Sequence, residues 1–130
     1  MSVALELAAL MAYSDQERGK WRTWIETDPS RLTIPFQRGG RFPTVGSVLD
    51  HVFLVERRHL TRMQGGQLPD KTGVSPEDWE SLLAYADAAR TDLRRYLGEL
   101  NEETAGQWMT FTVQSGTFTM TRRKLASHIL

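Results

Sequence analysis

The sequence predicts a predominantly helical fold, and three observations carry that prediction. Apolar residues recur at helical spacing over three long stretches. Ser, Thr, Asp and Pro stand where helix starts need them. Only one short stretch, near the C-terminus, alternates with period two. At 130 residues the chain has the usual size of one domain with one core, so residues 1–130 are read as a single unit. With 40% hydrophobic and 25% charged residues it has enough apolar surface to fold rather than stay disordered.

The first helix spans about Val3 to Thr27, with Leu7, Leu10, Met11, Trp21 and Ile25 on one stripe that Ser14 and Arg18 interrupt. Asp28-Pro29-Ser30 ends it, since Pro29 disfavours helical dihedrals in its predecessor. The connection through Arg38-Gly39-Gly40-Arg41-Phe42-Pro43 leads to a second helix from about Thr44 to Met63, capped by Thr44 and closed by Gly65-Gly66. Its apolar face carries Val45, Val48, Leu49, Val52, Val55, Leu60 and Met63. Ser75-Pro76-Glu77-Asp78 reads as a third start, with Ser75 as cap and Pro76 at the first helical position. The stripe from Trp79 to Leu100 follows it. Met109–Val113 and Thr117–Met120 around Gln114-Ser115-Gly116 read as a short β-hairpin lying against the helices. A fourth helix opens near Thr119 or Thr121 and has run roughly three turns at Leu130, so it is expected to be incomplete, in a chain truncated at its C-terminus.

Charge and composition exclude several functions. Sixteen basic residues balance sixteen acidic ones, which removes the footprint of a protein that neutralises many phosphates, so no nucleic-acid partner is expected. The absence of cysteine excludes disulfides, thiolate ligands and thiol nucleophiles from the chain itself. Met1–Ala12 carries Glu6 and lacks a basic leader, and no stretch approaches about 20 apolar residues. A soluble, cytoplasmic protein with no membrane partner is expected.

The residues that could hold a metal are few. There are three histidines, His51, His59 and His128. Eight residues separate His51 from His59, about 12 Å along a helix, too far to share one ion at bond lengths of about 2 Å. Helical spacing puts His59 near the centre of the apolar stripe, Glu56 within it and His51 on its flank. An inward histidine is more often hydrogen-bonded structure than a ligand, and Glu56 more often a paired acid than a base. His128 shares a face with Leu125, and two inward histidines on different helices make a better metal site than either alone.

The segment Tyr13-Ser14-Asp15-Gln16-Glu17-Arg18, the entry Arg41-Phe42-Pro43-Thr44-Val45, the run Leu49-Asp50-His51-Val52-Phe53-Leu54-Val55-Glu56 and the stretch Gly116–Leu125 followed by His128 together resemble the DinB/YfiT-like family, over essentially the whole chain. The resemblance implies an all-α four-helix bundle with a long crossover and a divalent metal, often nickel or zinc. In the family that metal is held by one His from the second helix and a His-x-x-x-His pair from a later one. His51 matches the second-helix ligand and Glu56 an acid often found five residues later, expected to orient a ligand. His59 stands where many members have an aromatic residue, which favours packing. His128 matches either the histidine that precedes the ligand pair or, in another register, its first member. The resemblance also implies a homodimer and a thiol-dependent S-transferase or hydrolase-like enzyme that takes a low-molecular-weight thiol. The alternative is a non-catalytic helical module for dimerisation or small-molecule binding, without a complete metal site.

Overall fold

A computed structural model describes residues 6–36, 40–113 and 115–129, the side chains of 128 and 129 excepted. It is mostly helical. α1 spans Leu7–Thr27, α2 Val45–Gln64 and α3 Trp79–Glu99, followed by a one-turn α4 over Glu102–Ala105 and α5 over Arg122–Ile129. Strands β1 (Trp108–Val113) and β2 (Gly116–Thr121) form an antiparallel hairpin in which Trp108 faces Thr121 and Phe111 faces Phe118. α1 packs on α3 and α5, and α2 packs on the same two helices. Among the described residues no helix is long and apolar enough to cross a membrane.

Local chemistry sets the boundaries. Thr44 caps α2 as anticipated, accepting from the Ser47 amide, and the Ser47 hydroxyl in turn accepts from the Thr44 amide, which makes the cap reciprocal. Gly65 ends it at φ 75°, a left-handed position that suits glycine. The start of α3 differs from the sequence expectation. Asp78, not Ser75, is its cap, accepting from both the amide and the hydroxyl of Ser81. Ser75–Asp78 instead forms a turn, closed by the Asp78 amide on the Ser75 carbonyl. Two short elements escaped the sequence pattern: a 3-10 turn over Pro29–Thr33, capped by Asp28, and α4, capped by Asn101. Both are too short for periodicity to reveal them.

The interior holds two apolar clusters. One gathers Met11, Leu60, Met63, Leu93, Leu125 and Ala126. The other gathers Ile25, Leu32, Phe53, Trp79, Leu82 and Ala86, with Trp21 against Phe53 and Trp79 at ring separations of 5.8 and 6.3 Å. Met109, Phe111 and Met120 of the hairpin pack on the first cluster. Arg122 fastens this corner: its guanidinium donates to the Met63 carbonyl in the last turn of α2 and lies 2.8 Å from the Tyr96 hydroxyl. The Arg122 cation thus meets a carbonyl that a helix end leaves without a partner.

Candidate functional site

His51 lies in α2, half-buried, with its ring 4.7 Å from that of Phe42 in the preceding connection. Burial, and then the neighbouring Arg41 guanidinium, pull the imidazole below its usual range against the opposing pull of Asp50. The neutral ring is the form that binds metals. The Asp50 carboxylate is engaged elsewhere, accepting from the Thr72 hydroxyl at 2.5 Å.

Glu56 is almost fully buried, with 3% of its surface exposed. Its carboxylate accepts from Arg18 of α1 and lies 3.5 Å from Arg90 Nη1 of α3. Asp15 extends the network, accepting from Arg90 Nε and from Arg94 Nη2, both at 3.0 Å. Glu56 is therefore a paired acid at the junction of three helices. Its partners in the structure are guanidiniums.

His59 sits on the hairpin side of α2. Its Nδ1 accepts from Arg62 at 3.0 Å, and its ring meets Phe111 edge-on at 6.5 Å. Since arginine only donates, Nδ1 is the unprotonated nitrogen. The Arg62 guanidinium also lies over the Phe111 ring at 5.0 Å. Together with Val113, Phe118, Met120 and Leu125, these two rings line a cavity of about 470 Å³ between α2, the hairpin and α5.

The side chain of His128 lies outside the described residues; its backbone belongs to α5. The direction of that helix is defined. Arg122 at its start meets Met63, and Ser127 shares the cavity wall with His59. α5 thus runs back along α2, toward the half that carries His51. Among the described residues no three His, Asp or Glu side chains gather as a metal site.

The arginines of this network were given no partners by the sequence, although the pattern held a signal for them. Arg18 breaks the apolar stripe of α1. Arg90 stands four residues after Ala86 and three before Leu93, inside the stripe of α3.

The model of the DinB superfamily matches residues 15–130, covering every element above except the first part of α1. No curated protein matches the chain.

Proposed function

The chain belongs to the DinB superfamily, and from that premise we propose that it is a metal-binding helical protein in which His51 supplies one imidazole to a divalent ion. The observation that carries this reading is the setting of His51: a half-buried ring on α2, held against Phe42, on the helix along which α5 runs back. His128, on that returning helix, is the second proposed donor. The four pairings of α1 and α2 with α3 and α5 support a four-helix bundle, with residues 28–44 as the crossover from α1 to α2. When bound, nickel or zinc would act as a Lewis acid that lowers the pKa of a water or thiol. The described residues do not complete that site, so the proposal extends to binding and to no reaction step. Glu56 enters it only as a group that fixes α2 against α1 and α3.

Nickel and zinc titrations followed by calorimetry test the assignment. Removing a direct ligand costs at least as much as removing a group that orients one, so His51→Ala is expected to weaken binding by about a hundredfold. An affinity unchanged by the substitution overturns it. A second reading, small-molecule binding without metal, draws on the apolar cavity between the hairpin, α2 and α5, whose size suits a ligand. No stoichiometric metal in wild-type protein would favour that reading.

A further inference from the structure

The cavity between α2, the hairpin and α5 is one-sided in its chemistry. Phe111, Val113, Phe118, Met120 and Leu125 supply its apolar wall, and Phe118 is left 42% exposed. Apolar surface in a groove of this size is covered favourably by an apolar molecule. The polar side chains of the wall are His59, Lys124 and Ser127, with no acid among them. The Ser127 hydroxyl donates to the Lys124 carbonyl and His59 Nδ1 accepts from Arg62. The Lys124 ammonium has no partner among the described residues. There, too, neither Arg58 nor Arg62 of α2 has a carboxylate within ion-pair distance.

Arg62 shows that this positive charge is not only a solvated surface. Its guanidinium rests over the Phe111 ring at 5.0 Å and donates to His59 at 3.0 Å, so both partners are neutral and both belong to the cavity wall. Its Nε is closed off from water and has no acceptor. Burial, and then the like charge of Arg58 one turn earlier, lower its pKa. The buried guanidiniums of Arg18 and Arg90 are paired with Glu56 and Asp15; Arg62 has no such acid opposite it.

We propose that this cavity binds a medium-chain carboxylate, its alkyl chain against Phe111, Phe118, Met120 and Leu125 and its head paired with Lys124, in the positive field that Arg62 and Arg58 add. One cation on the wall suits a monoanion, and a lysine meets it as a point charge without demands on its geometry. The apolar wall selects for chain length, since each methylene taken out of water is worth about a fourfold gain in affinity. The proposal rests on the small-molecule reading of this cavity, whose ligand class it names, and not on a metal at His51.

Octanoate is the ligand to titrate by calorimetry, with butyrate and octanol as comparisons. Octanoate is expected to bind at least about tenfold more tightly than butyrate, through its longer chain, and about fivefold more tightly than octanol, through its charge. Lys124 is exposed, so Lys124→Gln is expected to stay folded, as circular dichroism would verify. It should weaken octanoate about fivefold and leave octanol unchanged, while Lys124→Arg should keep the octanoate affinity. The Met120 methyl resonance should move with octanoate while the Trp21 indole resonance, in the other apolar cluster, stays still. The octanoate affinity should be the same with and without a chelator. Octanol binding as tightly as octanoate would overturn the carboxylate and leave the small-molecule reading standing; no binding of either would overturn both. An unmoved Met120 methyl, an affinity lost on chelation, or a dimer that octanoate dissociates in light scattering, the groove then being covered by a second copy, would each overturn the proposal.

Discussion

At Glu56 a single carboxylate faces two guanidiniums, Arg18 from α1 and Arg90 from α3, in a place almost closed to water. Removing one member of such a cluster leaves buried charge without a partner, which costs about 3–5 kcal/mol. Glu56→Gln keeps the shape and removes the charge, so it should lower the free energy of urea unfolding by about that amount. A loss under about 1 kcal/mol would mean that solvent reaches the cluster and screens it. Helical spacing placed Glu56 on the core side of α2, and there it lies. The identity of its partners was not legible, because Arg18 stands 38 positions away in sequence and periodicity speaks only for one helix at a time. The same boundary holds for His51. Its flank position followed from spacing, while the Phe42 ring against it comes from a connection that no periodic pattern describes.

Among the elements, α2 is the best determined by its own sequence, for its Thr44 cap and its closing glycine were both visible as residue types, while the reciprocal role of Ser47 was not. What the sequence did not reveal is how tightly its first turn is seated. A Cβ added at Gly46 would fall 2.0 Å from the Pro76 carbonyl oxygen and 3.1 Å from that of Leu32. The helix start is therefore pressed between the 3-10 turn and the α2–α3 connection, both backbone and unable to yield locally. Helix propensity would favour alanine by up to about 1 kcal/mol, but the collision outweighs it. Gly46→Ala should destabilise by about 1–3 kcal/mol. Gly19, within α1, provides the contrast, since nothing lies within 4 Å of its added Cβ and Gly19→Ala should stabilise by up to about 1 kcal/mol. Thermal melts of the two variants that shift in the same direction would refute this account. The displaced start of α3 teaches the neighbouring lesson. Ser-Pro-Glu-Asp offers two acceptable caps, and Asp78 becomes the cap because the Ser81 hydroxyl gives its carboxylate a second hydrogen bond.

Across the whole molecule the charged network forms a belt between the two apolar clusters. On α2 Glu56 separates Phe53 from Leu60; on α3 Arg90 separates Ala86 from Leu93; on α1 Asp15 and Arg18 separate Met11 from Ile25. The interruption that Ser14 and Arg18 made in the first stripe was the trace of this belt in one helix. Its coincidence at the same level in three helices is a property of the assembled molecule. The belt should make stability depend on acid pH through Asp15. Burial pushes its carboxyl up, but the hydrogen bonds from Arg94 and Arg90 outweigh that and hold it below the ordinary value. As pH falls the unfolded chain takes up the proton first, so the contribution of Asp15 is whole above about pH 4 and is lost as pH drops through the folded value. Asp15 is a third exposed, so salt will reduce the effect. Asp15→Asn should therefore melt below the wild type at neutral pH, and the two melting temperatures should converge as pH is lowered from 5 toward 2. A gap that stays constant over that range would mean that Asp15 acts through packing alone, and the belt would then hold the clusters together without its charge.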